Sequence, residues 1–332
     1  MNDRRMYRSV TATGFGSTEV LQIVEHARRP PAPDEARIKV EAVPVVQDDI
    51  AVRQGKRPFL PKTPFVPGYS VLGVVDAVGS AVSSVTPGDR VAALTNFGSY
   101  AEYVYWPAVK LVHVPAALDA GEAVVLILNY VVAYQILHRL AGVQAGDTAL
   151  IIGASGGVGT SFLQLGRLAG LRMYGLASAA KHSALCENGA TPIDYRTQDF
   201  VDVIRQTEAE GLDFVFNGMA EQYIDRGLAV LRPGGMLVHY GGPESRAGFL
   251  LLLVKLGYYT LLPNRKRIRG YGTHRVNIDL LKEDWTTLFG LLAEGKIRPI
   301  IAATFPLLEA AEANRLLESG SVVGNIVLHA DP

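Results

Sequence analysis

Thr148-Ala149-Leu150-Ile151-Ile152 runs directly into Gly153-Ala154-Ser155-Gly156-Gly157-Val158-Gly159, and this junction decides the fold. The first five residues form a short apolar run suited to a central parallel strand, buried on both faces. The next seven are glycine-rich and open a helix-like segment, Thr160 to Ala169. A glycine loop between a strand's carboxyl end and a helix's amino end makes an anion site. Free N–H groups and the positive end of the helix dipole meet a pyrophosphate, and the glycines let the backbone come close to it. A glycine triplet alone is weak evidence; its place inside a strand–loop–helix unit gives it meaning. Gly153, Ala154, Ser155, Gly156, Gly157, Val158 and Gly159 are therefore expected to hold a dinucleotide.

Which dinucleotide depends on the end of the next strand, about twenty residues on, where an NAD site sets a carboxylate against the ribose 2′-hydroxyl. Here that position holds Ala177 and Ser178, followed by Lys181, with no acid until Glu187. A 2′-phosphate would meet a hydroxyl and an ammonium there instead of a repelling carboxylate. NADPH is thus expected over NADH, with Ser178, Lys181 and Tyr195 converging on the phosphate.

Outward from the loop, the chain has three textures. Downstream, strand, turn and helix alternate: strands are expected at Leu171 to Leu176, Pro192 to Tyr195, Leu212 to Phe216, Met236 to Tyr240 and Arg267 to Tyr271. Helix-length segments such as Ala179 to Glu187 and Gln222 to Leu231 lie between them, the pattern of a doubly wound parallel sheet. Upstream, to about Val114, short β-branched runs are punctuated by Pro and Gly, as at Arg37 to Val43, Val71 to Val78 and Arg90 to Leu94 with its Pro87-Gly88-Asp89 turn. Beyond Gly295 the chain turns β-like again at Ile297 to Phe305 and Val322 to Leu328, around a helical spacing at Leu307 to Leu317.

Composition excludes several classes. The 332 residues suggest about two domains. Thirty-two basic and 32 acidic residues give no net charge, which disfavours nucleic-acid and anionic-lipid partners. The single Cys186 permits neither an internal disulfide nor a cysteine zinc cluster and fits a reducing compartment. Met1 to Val10 is polar and Arg-rich with no apolar run behind it, so a cytoplasmic location is expected. The most apolar stretch, Phe249 to Leu262, is fourteen residues long and interrupted by Lys255 and Gly257. It falls short of the ~20 residues a bilayer span needs. It reads as a buried helix or subunit contact, or alternatively as a greasy wall beside a ligand or a membrane-touching surface.

These motifs carry a resemblance. Arg53-Gln54-Gly55, Pro67-Gly68 with Gly73-Val74-Val75, Pro87-Gly88-Asp89-Arg90-Val91, the Gly153 to Gly159 loop, Ser178 with Lys181, Ile193-Asp194-Tyr195 and Gly324-Asn325-Ile326-Val327-Leu328 span nearly the whole chain. Together the chain resembles the zinc-independent quinone oxidoreductase branch of the medium-chain dehydrogenase/reductase superfamily. Asn129-Tyr130 with Ala133-Tyr134, and Ala177 to His182, look most like the synaptic vesicle membrane transport protein homologues of that branch. The resemblance implies an α/β protein: a GroES-like, β-rich catalytic domain from residues 1–118 and 297–332, and a Rossmann NADPH-binding domain from 119–296. It also implies a homodimer. Asn217, Gly241 and Asn325 join the expected cofactor contacts.

Zinc-dependent relatives place a Cys ligand where this chain has Val46, ahead of Asp49, and a Gly-His-Glu where it has Gly68-Tyr69-Ser70. Neither Val nor Ser replaces those groups, so no metal is expected. The quinone oxidoreductase branch often keeps an Asn, a Tyr and a Thr at what are here Val46, a position near Arg57, and Val132. By the same resemblance Tyr69 stands near the reacting face of the nicotinamide, and a phenol with pKa of about 10 can donate to an enolate. Gln47 is the candidate for holding a substrate carbonyl. Two functions from different classes follow. One is an NADPH-dependent reductase delivering hydride to a quinone or a carbonyl-conjugated alkene, both small apolar electrophiles. The other is an NADPH-binding protein with little turnover that acts through a lipid or protein partner.

Overall fold

The computed structural model describes residues 6–243, 245–261 and 265–330. Contacts divide the chain into two compact units: Met1–Gly55, Leu60–Val131 and Asn277–Pro332 in the first, Lys56–Phe59 and Val132–Val276 in the second. The fold is α/β, a GroES-like β-rich unit and a Rossmann-like parallel-sheet unit.

The second unit is built on a parallel sheet whose order among the described residues is Ala190–Asp194, Arg172–Ala177, Thr148–Ile152, Leu212–Asn217, Leu231–His239, Arg267–Gly270. In chain order this is 3-2-1-4-5-6, the doubly wound arrangement whose ligands sit beyond the carboxyl ends of the strands near the point where the order reverses. Thr148–Ile152 lies at that switch point and every one of its residues is buried. The helix Gly157–Leu168 leaves its end directly.

The first unit centres on a sheet that joins both chain ends. Its main path runs Ile301–Pro306, Asn325–His329, Glu35–Val45, Ser70–Val78, Arg90–Leu94 and Val112–His113, with Tyr103–Pro107 also paired to Glu35–Val45. All pairs are antiparallel except Ile301–Pro306 with Asn325–His329. Met6–Ala12 and Leu21–Ala27 form a separate antiparallel pair. The core gathers Val10, Ile38, Val43, Val71, Val91 and Leu328 from the strands, with Tyr100 from the segment before Tyr103–Pro107.

Three segments differ from expectation. Residues 120–141 form a continuous helical run, with π-type turns at Leu126–Tyr130 and Gln135–Ala141. It is apolar and long enough to cross a membrane by composition, yet 83% of its most apolar 18-residue window is buried within the protein, as in a core helix. The helix Ile278–Ala293 was also not anticipated; by contacts it belongs to the first unit, where the Trp285 indole donates to the Ile127 carbonyl at 3.0 Å. The expected boundaries at 118/119 and 296/297 therefore fall inside that unit. The apolar stretch after Phe249 is helical, Arg246–Leu261, but only Leu252 is buried in it, so the reading as a buried helix does not hold. Leu262, its last residue, and Met1 to Arg5 lie outside the described residues.

Trp285 is fully buried and anchors this helix to the run at Ile127. Trp285→Ala leaves a large cavity and an unpaired carbonyl, a loss of about 3–5 kcal/mol. A clearly lowered urea midpoint is expected; an unchanged midpoint would contradict the assignment of this helix to the core.

Candidate active site

The glycine loop takes the shape its sequence requires. Gly153 turns the chain at φ +87°, a conformation side-chain-bearing residues seldom adopt, and its carbonyl accepts from the Gly156 amide at 3.2 Å. Gly156 caps the helix that starts at Gly157. At Gly159 a Cβ would sit 2.2 Å from the Gly153 carbonyl oxygen and 2.6 Å from the Ala154 carbonyl carbon, both rigid backbone. Only glycine lets the first helical turn settle onto the loop. Gly156, by contrast, is exposed and has only ordinary contact space around it, so an anion can approach its backbone. Ser155 and Val158 are half-buried and Ala154 is buried beneath them. This backbone cradle fits the pyrophosphate of a dinucleotide.

At the end of Arg172–Ala177, Ser178 is buried and its carbonyl accepts from the Lys181 amide at 2.9 Å. Lys181 is half-buried; burial first, and then the neighbouring Arg196 charge, lower its pKa. Two cations held near each other out of full solvent repel, and a bound phosphate dianion lowers that cost. Arg196 was missed by sequence reasoning, although it directly follows Tyr195. Tyr195 is 48% exposed, with the Arg196 guanidinium 5.9 Å from its ring centre. Asp194, which ends the neighbouring strand, is occupied: its carboxylate accepts from the Arg196 amide at 3.0 Å and the Thr197 hydroxyl at 3.2 Å.

The other expected cofactor contacts behave differently. Asn217 ends its strand fully buried and spends its amide on the following turn, accepting from the Met219 amide at 2.9 Å and donating to the Ala220 carbonyl at 3.3 Å. Gly241 lies against that turn, where a Cβ would be 2.4 Å from the Met219 carbonyl oxygen. Opposite Asn217 in the strand register is His239, buried with Nδ1 unpartnered and its pKa lowered to about 4 by burial. No feature of the sequence marked this neutral imidazole at the sheet's carboxyl edge. Asn325 belongs to the first unit, where its amide nitrogen donates to the Ile300 carbonyl at 3.0 Å and its oxygen accepts from Asn129 at 2.6 Å.

In the first unit one carboxylate organises both candidate catalytic segments. Asp49 is buried; one oxygen accepts from the Val46 amide and the Tyr100 hydroxyl, each at 3.0 Å, and the other from the Gly68 amide at 3.0 Å. It thereby fixes the start of the helix Gln47–Arg53 and the residue before Tyr69. Arg53, also fully buried, pairs with Glu318 and reaches the Gly16 carbonyl at 2.6 Å. Gln47 is exposed and Tyr69 half-buried. The Tyr69 carbonyl accepts from both the Thr95 amide at 2.8 Å and the Asn96 amide at 3.0 Å. Val46 is buried and apolar, and among the described residues no three His, Cys, Asp or Glu side chains gather into a metal-holding group. A chain so arranged can hold a dinucleotide by backbone and cations in one unit, and present a phenol and an amide on fixed backbone in the other.

Residues 32–116 match the family described as alcohol dehydrogenase GroES-like domain, and residues 188–328 the one described as zinc-binding dehydrogenase. The human synaptic vesicle membrane protein VAT-1 homolog is 32% identical over 98% of this chain and 87% of its own length. Quinone oxidoreductase of Pongo abelii is 28% identical over 98% of both. A mycobacterial protein whose structure was solved in complex with NADPH superposes with a TM-score of 0.84 at 26% identity, covering 97% of this chain and 99% of that one.

Burial, the largest influence on Asp49, raises its carboxyl to about 7 against the three hydrogen bonds that favour its charged form. A carboxyl with its folded pKa raised binds more protons folded than unfolded between about pH 4 and 7, so its contribution to stability is full at low pH and lost as pH rises through that window. The stability difference between the unmodified protein and Asp49→Asn, from urea midpoints, should therefore shift against the unmodified protein from pH 4 to 8. A shift in its favour would mean that the carboxylate is held ionised.

Proposed function

The chain belongs to the medium-chain dehydrogenase/reductase superfamily of oxidoreductases, and from that premise we propose that it is a zinc-independent NADPH-dependent reductase of quinones or carbonyl-conjugated alkenes. The observation that carries the proposal is the glycine cradle at the sheet's switch point, with Ser178 and Lys181 just beyond the strand Arg172–Ala177, the Arg196 charge acting on Lys181, and the Asp194 carboxylate already hydrogen-bonded. Bound there, the coenzyme would supply hydride. The loop backbone holds the pyrophosphate, and Ser178, Lys181, Arg196 and Tyr195 form the clamp for the 2′-phosphate. Neither substrate type needs a metal, because the conjugated carbonyl itself accepts the developing negative charge.

The two substrates make different demands on the protein. Reduction of an enone leaves an enolate that must take a proton on carbon; reduction of a quinone leaves an oxyanion that water neutralises unaided. In this proposal the Tyr69 hydroxyl gives its proton to the enolate carbon and is reprotonated from solvent, while the Gln47 amide donates to the substrate carbonyl. A cytoplasmic homodimer is the accompanying expectation.

A second reading has one observation in its favour. The helix Arg246–Leu261 exposes Leu250, Leu251, Leu253, Val254, Tyr258 and Leu261, the last at 85%. Such a surface suits an NADPH-binding protein that works through a lipid or protein partner with little turnover. Steady NADPH consumption across a panel of quinones and enones favours the reductase; intact NADPH binding and liposome association without turnover favours the second reading.

Lys181→Ala should weaken NADPH binding about ten- to a hundredfold, the worth of one charge-assisted hydrogen bond, while NADH binding moves far less. Equal affinity for the two coenzymes in the unmodified protein would defeat the clamp. Tyr69→Phe keeps the ring and removes the hydroxyl. Enone reduction should fall by about 10²–10⁴, the usual worth of general acid catalysis, with quinone reduction largely retained. Both rates persisting would make Tyr69 a wall and solvent the proton donor.

A further inference from the structure

Four aromatic rings of the first unit stand in sequence from Tyr69 toward the surface. Tyr69 and Phe97 have ring centres 6.2 Å apart, Phe97 and Phe65 5.8 Å, and Phe65 and Phe15 6.1 Å. Each step is within the range of favourable tilted or edge-on aromatic contact. Tyr69, Phe97 and Phe65 are half-buried, and Phe15 at the outer end is 42% exposed. None of the four is fully buried, and Phe65 packs against the strand core.

The backbone holds these rings in place. The Tyr69 carbonyl pins Thr95 and Asn96, and the Gly98 amide donates to the Val66 carbonyl at 2.8 Å. Asn96 lies at φ +62° and Gly98 at φ +101°, so the residues on either side of Phe97 are both left-handed. Asparagine tolerates that region better than most side chains, and the double turn sets Phe97 between Tyr69 and Phe65. Phe65 in turn exchanges both backbone hydrogen bonds with Ala12, at 2.8 and 3.1 Å, and so is tied to the strand that leads into Phe15. The Ser70 and Ser99 hydroxyls, on residues adjoining Tyr69 and Gly98, are buried without hydrogen-bond partners. An apolar wall leading to a few polar groups is how small-molecule sites are usually lined.

Resting on the reductase reading and deepening it, we propose that Tyr69, Phe97, Phe65 and Phe15 form a track for the apolar tail of the substrate, so that the protein selects a quinone carrying a linear hydrocarbon chain over the same bare ring. The head lies at Tyr69, where the proton chemistry is assigned, and the tail runs over Phe97 and Phe65 toward Phe15. The wall is uncharged and built of rings, which suits a hydrocarbon chain and gives a polar or charged tail no partner.

The test compares 2,3-dimethoxy-5-methyl-1,4-benzoquinone with its 6-decyl derivative. Binding to the coenzyme-free protein is measured by equilibrium dialysis and, separately, kcat/KM with NADPH. The decyl compound should bind about tenfold or more tighter, and that ratio should fall toward one in Phe97→Ala. Phe15→Ala, at the exposed end where folding is least at risk, should lower the ratio about threefold. Equal binding of the two quinones by the unmodified protein, or a ratio unmoved in both variants, overturns the track, and turnover of both quinones in that case leaves the reductase standing. A tail preference in dialysis without turnover of either quinone keeps the track and removes the reductase.

Discussion

The approach of one helix to one loop underlies everything else in the coenzyme-binding unit. Because Gly159 has no Cβ, the first turn of Gly157–Leu168 rests on the carbonyls of Gly153 and Ala154, at distances no side-chain-bearing residue could tolerate. That contact aims the helix's free amides and dipole at the carboxyl end of Thr148–Ile152. It sets the helix at the switch point of a parallel sheet with the 3-2-1-4-5-6 order. Further along the same edge, the turns after Leu212–Asn217 and Leu231–His239 touch through Gly241 and Met219. The edge is thus made mostly of backbone, which suits a ligand recognised by its phosphates and ribose hydroxyls.

The first unit solves a different problem with a buried charge. Among the described residues Asp49 pairs with no cation and satisfies its carboxylate with two amides and a phenol, at the cost of a strongly raised pKa. What that arrangement secures is position: the amides it holds belong to the residues just before Gln47 and just before Tyr69. Those two positions are a buried apolar valine, at 46, and a glycine, at 68, that leads into the phenol of Tyr69.

Local signals in the sequence were enough for much of the fold. Arg90–Leu94 and Thr148–Ile152 are bounded by a Pro-Gly-Asp turn and a glycine loop, and the structure ends them at the same residues. The run 120–141 gives little helical period to read because its apolar residues are not confined to one face, as in many buried helices. The stretch after Phe249 misled in the opposite direction: its composition says apolar, but which faces the rest of the unit covers is a tertiary matter, and only Leu252 is buried. The site divides along the same line. The glycine loop and Ser178 with Lys181 are contiguous in the chain and could be read there. The roles of Asp49, Arg196 and His239 depend on contacts between separate segments, such as Asp49 with Tyr100 fifty-one residues away. The turn that sets Phe97 beside Tyr69 likewise exists only once two strands have paired.

The central claim is that this chain moves hydride from a bound nicotinamide to an apolar electrophile without a metal. The most direct measurement uses NADPH doubly deuterated at C4 of the nicotinamide, an α,β-unsaturated ketone, and protein treated with a chelator, with mass spectrometry of the product. The account predicts one deuterium on the β-carbon of the saturated ketone for each coenzyme oxidised. Coenzyme that binds but transfers no deuterium to any enone or quinone, or transfer that appears only when zinc is restored, would contradict it.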